Sequence, residues 1–113
     1  MNQHQRVSQI LEQLELELKR LDLWQESAPA AEALASTLPF CVDTLEFHQW
    51  LQFVLLLRLR QILLLQMPLP TQIALYPMAT EVYKQSRPHH EQLIACLAEL
   101  DEALTGRPVE RTL

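Results

Sequence analysis

The segment WLQFVLLLRLRQILLL, residues 50–65, is apolar around most of a helix and indicates the class of fold. When it is projected at 100° per residue, aromatic and aliphatic side chains occupy more than half of the circumference. A central helix that its neighbours contact on several sides has this pattern. We therefore expect a helix from Thr44 to about Gln66 at the centre of a helix bundle.

Charged and polar residues inside this stretch argue against a membrane span. The helix is long enough to cross a bilayer, but Arg58, Arg60 and Gln61 lie within its apolar part. Each arginine near a bilayer centre costs roughly 2.5–3.5 kcal/mol. We therefore expect no membrane partner.

The composition of the whole chain favours one helical domain. Its 113 residues include 24 leucines and a single glycine, and the formal net charge is −5. A chain of this length can bury a core without a metal or a disulfide. The acidic balance argues against direct nucleic-acid binding, which needs a basic patch.

Local signals place further helices on both sides of the central one. Apolar residues recur every three or four positions from Gln3 to Asp22, and a leucine stripe runs from Pro88 to Thr105. Pro77 suits the first turn of a helix between them. Residues 25–40 form a long connection that contains a short helix.

These elements predict an all-α, four-helix-bundle-like single domain with a long, partly helical connection between the first and central helices. The domain spans residues 1–113, and its core lies within about 3–105. Gly106 is a typical helix stop. We expect residues 106–113 to form a loose tail.

The start of the central helix carries two coincident signals. Asp43 as N-cap and Glu46 three positions later resemble a capping box. Val42 and Phe47 on either side of the cap are placed to form a hydrophobic staple. We therefore expect the helix to begin at Thr44.

Arg58 falls inside the apolar arc of the projected helix. A buried guanidinium keeps its proton and needs a carboxylate or several carbonyls as partners. Acidic side chains on neighbouring helices are the candidates, namely Glu81, Glu99 and Asp101. The alternatives are a structural ion pair, a side chain that reaches the edge of the bundle, and an anion-binding pocket with Arg58 at its base.

Leucines also interrupt the polar side of the projected helix. Among them, Leu56, Leu59 and Leu63 form the candidate interface. Either another part of the same chain covers them, or a second copy or a partner protein does, because contiguous exposed apolar patches mark interaction sites.

No residue pattern predicts an enzyme, a cofactor or a metal. Cys41 and Cys96 are far apart in the chain and are expected to be buried, reduced thiols. His89 and His90 are adjacent, so they point apart on a helix and do not chelate. The polar N-terminus has no secretory signal, which favours a cytoplasmic protein.

Several segments together resemble the YqcC-like family of small bacterial proteins. They are LDLW at 21–24, Ser36, residues 39–54, Arg58, PLP at 68–70 and PMA at 77–79. The family pattern has a proline just before the arginine of the central helix, where this chain has Leu57. The resemblance implies a bacterial helical bundle without an established activity. Some members are encoded near a tRNA pseudouridine synthase, which implies a link to RNA modification.

From these observations we expect a non-catalytic protein-interaction or adaptor module with a protein partner or a second copy, linked to tRNA modification. The alternative is a bundle that binds a small molecule or an anion near Arg58. The candidate pocket residues are Asp43, Thr44, Trp50, Gln52, Arg58 and Glu81.

Overall fold

The computed structural model describes residues 2–111, and this part of the chain is helical without strands. The elements are α1 (Gln3–Arg20), α2 (Ala31–Leu34), a 3₁₀ turn (Pro39–Cys41), α3 (Phe47–Trp50), a π-helical segment (Leu51–Leu56), α4 (Leu57–Leu64), α5 (Leu75–Val82) and α6 (Arg87–Thr105). The segments from α3 to α4 are continuous and together form the central helix. The prediction of an all-α domain is confirmed. None of the described helices is long and apolar enough to span a membrane.

The helices α1 and α6 form the most extensive contact between elements, because each carries an apolar stripe. The side chain of Asn2 caps α1 by accepting a hydrogen bond from the backbone N–H of Gln5 at 2.8 Å. At the same end of this helix pair α6 stops at Gly106, whose φ of 74° is the left-handed conformation expected of a helix-ending glycine. The buried stripe of α1 consists of Val7, Ile10, Leu11, Leu14 and Leu18.

The N-terminus of α5 is capped by Asp101 of α6. Its carboxylate accepts hydrogen bonds from the backbone N–H groups of Leu75 at 2.9 Å and Tyr76 at 2.8 Å, and only 3% of the residue is exposed. Burial raises the pKa of this carboxyl, whereas the two N–H groups act in the opposite direction. Helix α5 begins two residues before Pro77. A proline is tolerated there because the backbone N–H groups of a first helical turn have no partner within the helix.

The central helix begins at Phe47, so the predicted start at Thr44 is wrong. Glu46 is the N-cap and forms a capping box with Gln49, whose Oε1 accepts the Glu46 backbone N–H at 2.8 Å. Val42 is exposed and does not provide the expected staple. The side chain of Asp43 does not cap this helix and binds the hydroxyl of Ser36 instead.

The long connection is fixed by side chains that precede the central helix. The hydroxyl of Ser36 donates to the Asp43 carboxylate at 2.5 Å. The hydroxyl of Thr44 donates to the backbone carbonyl of Ala33 at 2.6 Å. These bonds hold α2 against the start of the central helix, which explains why Asp43 does not serve as its cap.

The segment after α6 folds back onto that helix. The backbone N–H of Val109 donates to the Glu102 carboxylate at 2.8 Å, and Arg111 forms an ion pair with it at 3.0 Å. Val109 also packs against the core. The expectation of a loose tail is therefore wrong for residues 107–111, while residues 112 and 113 lie outside the described range.

Candidate functional site

An open pocket of about 360 Å³ lies between the 3₁₀ turn, the central helix and the segment before α5. Arg58 is the one charged residue among the described side chains that line it. The other walls are mainly aromatic and aliphatic. We call this site the aromatic pocket and define it by Phe40, Trp50, Val54, Arg58, Pro70 and Ile73.

Aromatic packing and an unusual backbone conformation hold the pocket wall. The Phe40 and Trp50 rings meet edge to face with their centroids 4.8 Å apart, and Phe47 stacks near Trp50 at 6.4 Å. Phe40 has a φ of 58° and Cys41 a φ of 49°, which is the left-handed region that residues with a Cβ rarely adopt. The surrounding packing therefore maintains a strained turn that presents Phe40 to the pocket.

Arg58 is exposed, so of the alternatives left open by the sequence the buried ion pair is wrong and the side chain reaches the edge of the bundle. Within residues 2–111 it makes no hydrogen bond or ion pair with another residue. Its expected partners are engaged or placed elsewhere. Glu81 pairs with Lys84 at 2.8 Å, and Asp101 caps α5. Glu99 lines a different groove, between α1 and α6.

Gln52 is a structural residue of the interior. Its amide nitrogen donates to the backbone carbonyl of Gln25 at 2.7 Å, and its amide oxygen accepts the Gln25 backbone N–H at 2.9 Å. These two hydrogen bonds fix the start of the connection against the central helix. Of the six predicted pocket residues, the structure brings together Trp50 and Arg58, whereas Gln52 is satisfied outside the pocket.

The remaining predicted pocket residues also lie away from the pocket. Asp43 and Thr44 bind the connection through Ser36 and Ala33. Glu81 is an exposed residue of α5. None of these three lines the aromatic pocket.

The predicted interface is largely core. Leu56 and Leu59 are each only 1% exposed, and Leu63 is partly buried against the core. The helix α1 contacts this side of α4, and Glu15 and Arg60 form an ion pair at 2.7 Å. Of the two alternatives left open by the sequence, the chain itself therefore covers these leucines, and they are not an exposed interface for a partner or a second copy.

A π-helical segment explains both errors of the helical projection. Residues 51–56 form i→i+5 turns, which use more residues per turn than the α-helix assumed in the projection. Every side chain after the segment is rotated relative to that projection. Buried positions accordingly step by four, from Phe47 to Leu51, Leu55 and Leu59. This rotation places Arg58 outside and Leu59 inside.

Three other leucines of the central helix and its end are exposed. Leu57 is 59% exposed, Leu64 is 82% exposed and Leu65 is 57% exposed. Positions 57 and 64 are seven apart and lie on one row of the helix surface, whereas Arg58 and Leu65 are seven apart on the neighbouring row. We call Leu57, Leu64 and Leu65 the leucine ridge. The sequence did not distinguish it, because leucines surround this helix on all sides.

The cysteines and histidines form no reactive group in the described part of the chain. Both cysteines are free and buried, and burial raises the pKa of the Cys96 thiol to about 12. Burial also lowers the pKa of His48, although the carboxylate of Glu46 and the backbone of Leu23 oppose this shift. Within residues 2–111 no cluster of three metal-binding side chains occurs.

Similar proteins have been described in two bacteria without an assigned function. An uncharacterised protein of Haemophilus influenzae is 39% identical over 94 residues, which cover 83% of this chain and 88% of that protein. The uncharacterised protein YqcC of Escherichia coli is 34% identical over 101 residues, with 89% and 93% covered. The solution NMR structure of E. coli YqcC superposes with a TM-score of 0.82 at 31% identity, covering 100% of this chain and 97% of that one.

A third relative is much longer than this chain. The tRNA pseudouridine synthase C of Pectobacterium carotovorum is 37% identical over 70 residues, which are 62% of this chain but only 19% of that protein. The family model DUF446, described as tRNA pseudouridine synthase C, matches residues 6–103. The chain therefore belongs to the DUF446 family and is a relative of E. coli YqcC.

Proposed function

We propose that this chain is a non-catalytic protein-interaction module whose partner is a bacterial tRNA pseudouridine synthase C. It acts in the cytoplasm, where its two free cysteines stay reduced. The leucine ridge is the contact surface. The observation that carries the proposal is the presence of a similar region inside one longer polypeptide named tRNA pseudouridine synthase C.

The longer relative gives a physical reason for an interface. Its match to this chain leaves about four fifths of its length outside, since 19% is covered. A covalent link keeps two regions at millimolar effective concentration. Two regions on different polypeptides lack that link, and a dedicated contact surface would replace it.

The leucine ridge is suited to this purpose. Its three leucines are more than half exposed and lie on two neighbouring rows of the central helix, one of which also contains Arg58 of the aromatic pocket. Burying an exposed leucine side chain stabilises a complex by roughly 1.5–3 kcal/mol. Large apolar side chains that are exposed together on one helix favour a contact with another protein.

A non-catalytic role agrees with the state of the potentially reactive groups. Cys96 is buried with a raised pKa, which disfavours the nucleophilic thiolate. Cys41 is also buried, and no orienting base is bonded to its thiol among the described residues. The activity would belong to the partner.

Calorimetric titration with the purified synthase C of the same bacterium tests the proposal, after nuclease treatment of both proteins. We expect binding by the natural chain and a loss of affinity of about 30-fold or more for Leu64→Glu, because a carboxylate would enter an apolar contact. Leu16→Glu is the matched control, since Leu16 is 66% exposed but lies on α1. It should bind like the natural chain.

The outcome that overturns the proposal is the absence of heat and of complex formation with the natural chain. Equal weakening by both variants would also contradict it, because the contact would then depend on charge and not on the ridge. Light scattering of the chain alone measures its oligomeric state and shows whether a second copy of the chain binds the ridge instead. A stable dimer that Leu64→Glu dissociates would assign the ridge to self-association instead.

A further inference from the structure

We propose that the aromatic pocket binds a small carboxylic acid whose apolar body is about the size of one aromatic ring. The carboxylate pairs with Arg58, and the body lies against Phe40 and Trp50. The volume of about 360 Å³ is at the lower end of the range for small-molecule sites. This inference does not depend on the proposed protein partner.

The electrostatic setting of Arg58 differs from that of the other basic residues. Lys19, Arg20, Arg60, Lys84, Arg87 and Arg111 form ion pairs with glutamates. Arg6 and Arg107 line cavities that a carboxylate also lines, Glu102 in one case and Asp101 in the other. The lining of the aromatic pocket contains no carboxylate among the described residues. In a chain of net charge −5, Arg58 is thus a cation whose cavity supplies no counter-charge.

The chemistry of the guanidinium selects the charged group of the ligand. Its planar fork can donate two parallel hydrogen bonds to one carboxylate. Among the described residues no second basic side chain lines the pocket, so a dianion such as a phosphate monoester would be only partly neutralised. A monocarboxylate matches the single positive charge.

The apolar walls select the body of the ligand and are largely preorganised. Pro39 and Pro70 restrict the backbone at the two loop rims. The strained turn at Phe40 holds its ring 4.8 Å from the ring of Trp50, centroid to centroid. A ring placed on this surface buries apolar area without ordering new protein segments, which limits the entropic cost of binding.

The test uses 3-phenylpropionate and its neutral amide as probes in NMR titrations of the ¹⁵N-labelled chain. We expect millimolar or tighter binding of the acid, with shifts at the amides of Phe40 and Ile73 and at the indole N–H of Trp50. The amide should bind about tenfold more weakly, because it lacks the charge-assisted hydrogen bonds. Shifts scattered over the surface, or equal affinity of acid and amide, would overturn the proposal.

Two arginine variants distinguish binding in the pocket from a general effect of the protein's charge on the acid. Arg58→Met keeps an apolar stem and should abolish the preference for the acid, whereas Arg6→Met removes the same charge from α1 and should retain it. Because Arg58 is exposed and unpaired among the described residues, its variant should keep the amide spectrum of the folded chain. Retention of acid binding by Arg58→Met would contradict the proposal.

The two proposals fail separately. Leu64→Glu should leave binding of 3-phenylpropionate unchanged, since Leu64 does not line the pocket. Loss of synthase binding with intact acid binding would confirm that the pocket and the ridge are distinct sites. If the acid does not bind the natural chain at millimolar concentration, the pocket proposal is wrong, whatever the result with the synthase.

Discussion

At the scale of single residues, Asp101 connects two helices through backbone hydrogen bonds. The sequence suggested this residue as a partner of Arg58, because an acid near an arginine is the simplest way to satisfy both. The structure instead uses the carboxylate to satisfy two N–H groups at the start of α5. Sequence spacing alone could not reveal this, since the cap and the helix are 25 residues or more apart.

Replacement of Asp101 by alanine should strongly destabilise the fold. The change leaves the buried N–H groups of Leu75 and Tyr76 without acceptors, at a cost of about 2–4 kcal/mol in the free energy of unfolding. Urea denaturation followed by circular dichroism measures this loss. Glu99→Ala on the same helix is the control and should change the free energy little. A loss for Asp101→Ala as small as that of the control would show that the cap is unimportant.

His48 should make the stability of the fold depend on pH. Its Nδ1 atom is buried and has no hydrogen-bond partner within residues 2–111, and burial lowers the pKa of the ring below the ordinary value of 6.5. Because the folded state favours the neutral ring, its contribution to stability is present above pH 6.5 and is lost as the pH falls through the lower, folded-state pKa.

Denaturation curves at several pH values between neutral and mildly acidic would detect this contribution. His48→Phe should reduce the loss of stability on acidification, whereas His89→Phe, at an exposed position, should leave the pH dependence as it is. Identical pH profiles for the natural chain and His48→Phe would contradict the assignment.

At the scale of elements, the central helix shows where sequence reasoning succeeds and where it fails. The helices α1 and α6 were predicted because their apolar stripes and the stop at Gly106 are local features. The π-helical segment has no such local signal, because it depends on how the helix packs against its neighbours. The existence of the central helix was therefore predictable, whereas the residues it exposes were not.

Deletion of Phe53 should show how the π-helical segment sets the register of α4. Because the wide i→i+5 turns accommodate one residue more than α-helical turns, the shortened chain can continue as a regular α-helix with Leu59 still in the core. Insertion of one alanine after Phe53 would instead rotate α4 by about 100° and turn Leu59 outward. In urea denaturation we expect the insertion to lower the free energy of unfolding by about 3 kcal/mol or more, as for the loss of a buried leucine, and the deletion to cost less. Equal losses would contradict this account of the register.

At the scale of the whole molecule, the bundle hides its thiols and exposes its leucine ridge. Both cysteines lie in the interior, so a thiol reagent should modify them only when the chain unfolds. We expect the rate of modification to rise in parallel with the unfolded fraction in urea. Rapid reaction of either cysteine in the native protein would contradict the burial described above.

The candidate site was only partly predictable, because its walls come from segments that are far apart in the sequence. Trp50 and Arg58 were selected from the sequence, but the opposite walls come from the turn at Phe40 and the segment at Ile73. These segments meet through tertiary packing across the bundle. No periodic pattern within one helix carries that information.

An NMR titration can show whether the leucine ridge is the contact surface for the synthase. Unlabelled tRNA pseudouridine synthase C from the same bacterium is added to the ¹⁵N-labelled chain, after nuclease treatment of both. We expect signals of residues 57–65 to shift or broaden first, while those on the exposed side of α1 around Leu16 change little. An unchanged spectrum, or changes centred on the groove between α1 and α6, would contradict it.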